Sequence, residues 1–318
     1  MSAQDTPAIA VVEPPRSWPR RVWDSDVFYS FRRSPVTIVA AFVTLILVGA
    51  AILAPWIAPY DPFNPASLNL MDGFTPPMSH SMTGNYFLLG SDHQGRDMLS
   101  AILYGSRVSL FVGFSATLFA IVLGVGLGLT AGYRGGITDS IIMRIADIQL
   151  SFPAILIALL IFGIARGVIP PSQHESMAVW VLIVAIGLAN WAQFARTVRG
   201  ATMVERQKDY VSAARIMGVN PLRILLGHIM PNVLGPVLVI GTIGLALAII
   251  EEATLSYLGV GVPPTQPSLG TLIRIGQGFL FSGEWWILFF PAVMLIMLAL
   301  AVNLLGDWLR DALNPRLR

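Results

Sequence analysis

Two adjacent carboxylates, Glu251 and Glu252, close a run that carries no charge after His228. If that run crosses a bilayer, the pair is costly to desolvate and marks either a translocation path, continued by Ser256 and Tyr257, or ion pairs with an arginine of a neighbouring helix or of another subunit. Successive helix positions point about 100° apart, so the two acids cannot face one pore equally. Other chemistry is thinner. His174-Glu175 opens like a zinc-protease helix, but Ala178 stands where the second histidine belongs, and no metal set is expected. His80, His93 and His228 are scattered, which suits solvated or locally hydrogen-bonded rings. The absence of cysteine removes disulfides, thiolate ligands and thiol nucleophiles. Lys208, the one lysine, follows Glu205-Arg206-Gln207 and not a glycine-rich loop, so this chain cannot cradle ATP as a P-loop does. No nucleophile–base constellation is visible, and the chain is not read as an enzyme.

The elements that position these residues follow from composition. With 55% hydrophobic and 12% charged residues and a mean hydropathy of +0.69, a 318-residue soluble domain could not cover its surface. Crossing a hydrocarbon core takes roughly 20 uncharged helical residues. Six such stretches predict an all-α integral membrane protein with helices over 36–58, 108–131, 141–164, 177–196, 233–257 and 286–306. A seventh uncharged stretch, Ala253 to Ile273, holds Pro263, Pro264 and Pro267 and reads as loop beyond the fifth helix. Placing both termini in the cytoplasm puts every one of the 20 Lys+Arg inside except Arg96, Arg107, Arg166 and Arg274. The pI near 9.1 reflects that topology, since the formal charge is only +2, and a nucleic-acid partner is not expected. A largely polar stretch of some 35 residues, containing prolines and arginines, precedes a first apolar run too long for a signal peptide.

Residues 1–22, rich in proline, read as a mobile tail, and Trp23 to Phe31 as a short interfacial helix. The outer loop, about 60–105, is long and tightens into Gly90-Ser91-Asp92-His93-Gln94-Gly95-Arg96-Asp97. Asp92, Arg96 and Asp97 suit a salt-bridged, turn-forming scaffold better than a substrate site, and the loop offers a surface for a docking protein. Gly128 and Gly132 in span two form a small-xxx-small pair for close helix packing. Pro153, Pro236 and Pro291 fall inside spans and predict kinks, which suit a path or irregular packing alike.

The longest cytoplasmic stretch runs from Arg196 to His228. A helix from about Tyr210 should stop at Gly218, where glycine accepts a left-handed cap. Asn220 then caps a second helix with Pro221 in its first turn, and Pro231 ends it at the entry to span five. Ala213 and Ala214 permit close approach. The product is a compact helix–turn–helix joined to two spans, either a force-transmitting knob or a plain connector.

These residues carry a resemblance. Ala213-Ala214, three residues, Gly218, nine residues and His228-Ile229-Met230-Pro231-Asn232 look like the "EAA" loop of ABC importer permeases, with Ser212 where the named glutamate belongs. Gly90-Ser91-Asp92, Gly95-Arg96-Asp97 and Gly105-Ser106-Arg107-Val108-Ser109-Leu110 are similar to the signature before span two of the peptide-permease branch. Glu252-Ala253-Thr254-Leu255-Ser256-Tyr257-Leu258-Gly259 resembles its end of span five, and Asp307 to Arg316 its C-terminus. The resemblance is to the second-type permease of dipeptide, oligopeptide and nickel importers, of type I architecture in a bacterial inner membrane. It implies a tail and interfacial helix over 1–35, a first span and outer loop over 36–107, and a five-span core over 108–310. The coupling loop then lies at 197–232 and a tail at 311–318. It further implies a second permease of similar fold, two cytoplasmic ATPases that bind ATP and Mg²⁺, and an extracytoplasmic solute-binding protein. Peptides are the expected cargo; nickel, glutathione and sugars share the scaffold. A secondary transporter is the rival, but it should show paired broken helices or internal repeats, and none is evident.

Overall fold

The computed structural model describes residues 26–64 and 68–313; the tail over 1–22, residues 23–25 and the C-terminal 314–318 lie outside the described residues. The first helix of the described residues, α1 (Asp26–Arg33), leads directly into α2 (Pro35–Ile52). Ser34 turns the chain between them: its hydroxyl accepts from Thr37 N at 3.3 Å, and Pro35 follows where no N–H is needed. Helix α2 and one further turn, Ala54–Ile57, form the first span. Val39, Phe42 and Leu45 point outward from it, an apolar flank that only lipid or another apolar surface can cover.

The second span, α3 (Met98–Arg134), begins ten residues before the expected 108. Charge marks where the apolar part begins, whereas the helix begins at its cap: Asp97 Oδ2 accepts from Ser100 N at 2.8 Å, and Arg107 is simply carried within the helix. Facing it runs α6 (His174–Glu205). A β-carbon on Gly124 would lie 2.7 Å from the Trp191 carbonyl, on Gly128 2.8 Å from Val198 Cβ, and on Gly132 2.7 Å from Thr202 Cβ. The small residues at four-residue spacing therefore bring α3 and α6 into backbone contact over three turns.

The third span is not one rod. Helices α4 (Gly136–Leu150) and α5 (Ala154–Val168) meet at 98°. Pro153 has no N–H to continue α4, and Ser151 and Phe152 turn back instead, Phe152 N donating to Gln149 O at 3.1 Å. Gln149 pins the elbow to α6: its amide donates to the Leu188 and Ala189 carbonyls at 2.7 and 2.9 Å and accepts from Trp191 Nε1 at 2.7 Å. Pro236 and Pro291 stay within continuous helices, α9 (Met230–Tyr257) and α11 (Trp286–Leu313). Counting the bent pair once, the described residues contain six spans.

The apolar stretch after α9 is loop only as far as Ser268. There Ser268 caps a short helix, α10 (Leu269–Gln277), by accepting from Thr271 N at 3.3 Å, a start the surrounding prolines and glycines hide in the sequence. Leu269 and Leu272 pack with Met98, Ile249 and Ile287. The outer loop is also more ordered than its composition suggests. A hairpin of β1 (Ser79–His80) and β2 (Tyr86–Phe87) is tied by Asp72, which accepts from Thr83 Oγ1 at 2.5 Å and Asn85 Nδ2 at 2.9 Å.

Candidate functional site

The C-terminal ends of α3 and α6 and the start of α9 converge on a small module. Helix α6 runs on to Glu205, so the first nine residues of the loop expected over 197–232 are helical. A short α7 (Asp209–Ile216) follows and stops at Gly218, whose φ of +74° is the left-handed region. Val219 N closes the cap on the Ala214 carbonyl at 3.1 Å. Asn220 Oδ1 accepts from Leu222 N at 2.9 Å and starts α8 (Pro221–Ile224). Pro231 does not end that helix. A π-helical turn, Leu225–Ile229, carries the chain into α9, with Pro231 in its first turn. Widening the turn shifts the hydrogen-bond register just where proline offers no N–H and its ring would crowd the preceding carbonyl.

One face of α7 is anchored. Val211 and Ala214 are buried against Leu129 of α3, Val198 of α6, Ile224, Ile229 and Val233. The opposite side is open: Ser212, Ala213 and Gly218 are exposed, and Ile216, Met217 and Leu222 stand 88%, 74% and 63% exposed. These three apolar side chains form an exposed apolar patch on an otherwise polar loop.

A polar latch sets the orientation. Glu205, itself buried, accepts from Tyr210 Oη at 2.6 Å and from Lys208 Nζ at 2.9 Å. Asn232 Nδ2 donates to the His228 carbonyl at 2.7 Å and to Tyr210 Oη at 3.2 Å, while His228 Nδ1 lies 3.4 Å from the Arg223 carbonyl. Burial, reinforced by the Glu205 carboxylate, pushes the Tyr210 phenol up to about 12. Arg206 Nη1 donates to the Tyr133 carbonyl at 2.6 Å and fastens the latch to the end of α3. Sequence reading found Tyr210, His228 and Asn232 but not Glu205, Lys208 or Arg206. An acid five residues before a tyrosine, across a helix break, was the available signal.

The intramembrane residues do not gather at one point. Glu251 turns to α6 and accepts from Asn190 Nδ2 at 2.7 Å. Glu252 is wholly buried and accepts from Ser256 Oγ at 2.7 Å, while Ser256 also receives Val262 N at 3.2 Å. Among the described residues their side-chain partners are an amide and a hydroxyl, and Tyr257 is half-exposed at the helix end. On the outer side, Arg96 Nε meets Asp92 Oδ2 at 2.7 Å with both side chains buried, and Gly95 adopts φ +77° in the turn between them. Asp97 makes no ion pair with a described residue; it caps α3. Arg107 lies apart from this cluster, exposed on α3.

The family described as "Binding-protein-dependent transport system inner membrane component" matches residues 124–318. The chain belongs to that family. A second description, "N-terminal TM domain of oligopeptide transport permease C", matches residues 22–77. The dipeptide transport system permease protein DppC of Haemophilus influenzae is 36% identical over 293 residues, covering 92% of this chain and 95% of that one. The di/tripeptide permease DppC of Pseudomonas aeruginosa is 34% identical, over 96% and 97%. The oligopeptide permease OppC of Bacillus subtilis is 35% identical, over 92% and 90%. Among solved structures, the inward-facing MetNI methionine ABC transporter superposes with a TM-score of 0.52 at 21% identity, covering 68% of this chain and 98% of that one, a likeness of fold. The permease is thus a multi-pass inner-membrane subunit of an ATP-driven importer, working in a complex with ATPase and substrate-binding partners.

Proposed function

We propose that this permease forms half of a translocation path for di- or oligopeptides and converts closure of partner ATPases into movement of that path. The other half is a second permease of similar fold. Two cytoplasmic ATPases hold the ATP and Mg²⁺ and carry out the hydrolysis, an extracytoplasmic binding protein delivers the cargo, and both termini of this chain are cytoplasmic. The observation that carries the reading is the division of α7 and its turn into two faces. Val211 and Ala214 are sunk into the ends of three spans, while Ile216, Met217 and Leu222 project away. A push on the projecting face reaches those spans without an intervening flexible segment. The peptide cargo is supported by the dipeptide and oligopeptide permeases that match over most of the chain.

Gly218 tests the coupling. Its left-handed φ disfavours a β-branched residue by about 1–2 kcal/mol, whereas asparagine tolerates the region. In the reconstituted importer, Gly218→Val should lower ATP-driven uptake of a labelled dipeptide at least about tenfold. Gly218→Asn should stay within about twofold, with equal membrane incorporation of both. Wild-type uptake by Gly218→Val would overturn the assignment, and accumulation of nickel, glutathione or sugar in place of dipeptide would reassign the cargo.

A further inference from the structure

An open cavity of about 890 Å³ lies between α3, the start of α6 and the loop after α9. Its size is that of small-molecule sites. Arg107 and Glu175 both line it, from different helices, and neither side chain makes a salt bridge or hydrogen bond with any described residue, including the other. Arg107 sits nine residues into α3, roughly 14 Å along its axis, so the cation is set below the outer loop and not at the helix end. Its neighbours in sequence, Ser106 and Ser109, are buried on the other side of α3, which leaves the guanidinium turned to the cavity. The walls include Phe63 and Tyr104, edge to face at 5.1 Å, and Phe111. Gln266 adds an amide.

Opposite charges held in one cleft without neutralising each other match a ligand that carries both charges at a separation. A guanidinium forks onto a carboxylate with two parallel N–H···O bonds, and a carboxylate accepts from an ammonium. Aromatic walls take side chains of varied shape with little discrimination. We infer that the cavity is an entry subsite that reads the two termini of a short zwitterionic peptide, Arg107 taking the C-terminal carboxylate and Glu175 the N-terminal ammonium. This rests on the peptide-importer reading above. It assigns selectivity for free termini to the permease itself, in addition to whatever the delivering protein selects, and separates Arg107 from the structural role of Asp92, Arg96 and Asp97.

The test uses the reconstituted importer complex without its binding protein and three photoreactive probes: alanyl-p-benzoylphenylalanine, its C-terminal amide and its N-acetyl form. Label recovered in the segment holding Tyr104 and Phe111 is read by mass spectrometry. The free dipeptide should label the wild type about tenfold more than either blocked form, the scale of one lost charge-assisted contact. Arg107→Ala should lower labelling by the free dipeptide about tenfold without lowering that by the amide, and Glu175→Ala should do the same for the free dipeptide and the N-acetyl form. Arg107→Lys should recover part of the free-acid preference. Equal labelling by all three probes in the wild type, or equal losses with all three in the variants, would overturn the subsite and mark Arg107 and Glu175 as structural. Failure of the wild-type complex with its binding protein to accumulate dipeptide would instead remove the peptide reading.

Discussion

Tyr210 donates its phenolic hydrogen to Glu205 across 2.6 Å, joining the first turn of α7 to the last residue of α6. The bond spans the break over 206–208 between span four and α7. Tyr210→Phe keeps the ring and removes the donor, at a local cost of about 1 kcal/mol. Proteolysis over 206–220 should accelerate several-fold and uptake should fall; an unchanged cleavage rate would show that the latch does not hold the loop. The same bond has an alkaline signature. Burial and then the adjacent carboxylate raise the Tyr210 phenol to about 12, so folding favours its protonated form. Its contribution is complete below about pH 10, the ordinary phenol value, and is lost as pH rises toward about 12. The phenolate absorbance difference between wild type and Tyr210→Phe should titrate near the upper value.

Two carboxylates of the outer loop should respond to acid with opposite signs. For Asp72 burial acts upward, but hydrogen bonds from Thr83, Asn85 and Ser81 together outweigh it and hold the acid below its ordinary 3.8. Its contribution is present above that value and is lost as pH falls through the lowered one. Asp97 is raised, chiefly by burial, against the hydrogen bonds from Ser100. Its contribution is complete below 3.8 and declines as pH rises through the raised value. Hydrogen exchange against pH should show hairpin protection over 79–87 weakening in acid, while the first turn of α3 strengthens. Asp97→Asn should abolish the second trend yet keep the cap, whereas Asp97→Ala should cost about 1 kcal/mol.

The glycine contact between α3 and α6 predicts a graded series. Gly128→Val and Gly132→Val must push against Val198 and Thr202 and should destabilise the permease by about 1–3 kcal/mol. Gly126→Val, with nothing within 4 Å of its β-carbon, should not shift the thermal transition of the purified complex in the same way. Equal effects at all three positions would contradict the close approach.

Features governed by neighbouring residues were legible in the sequence, and features governed by distant ones were not. Gly218, Asn220 and Pro221 specify their turn through their own backbone preferences, and the structure forms it there. Gly128 and Gly132 announced a tight contact but not that Val198 and Thr202 would supply its other side. Pro153, Pro236 and Pro291 look alike in sequence, yet only the first breaks its span, where Gln149 finds carbonyls on α6 to hold the bend. Glu251 and Glu252 were recognised as costly, but an amide partner 61 positions away could not be read from the run itself. The spacing of Ala213, Ala214, Gly218 and Pro231 is local and could be read along the chain, whereas Arg107 and Glu175 come to one cavity only once two helices have folded together.

The backbone contact between α3 and α6 has a mechanical corollary. Two helices meshed at Gly124, Gly128 and Gly132 tilt together, as one beam. The 37 residues of α3 make that beam roughly 55 Å long. A rotation of about 10° about its C-terminal end would sweep the far end through roughly 10 Å, enough for a side chain to pass. Under the proposed coupling, the close fit at Gly128 and Gly132 would set how faithfully a small thrust at one end of the pair is magnified at the other.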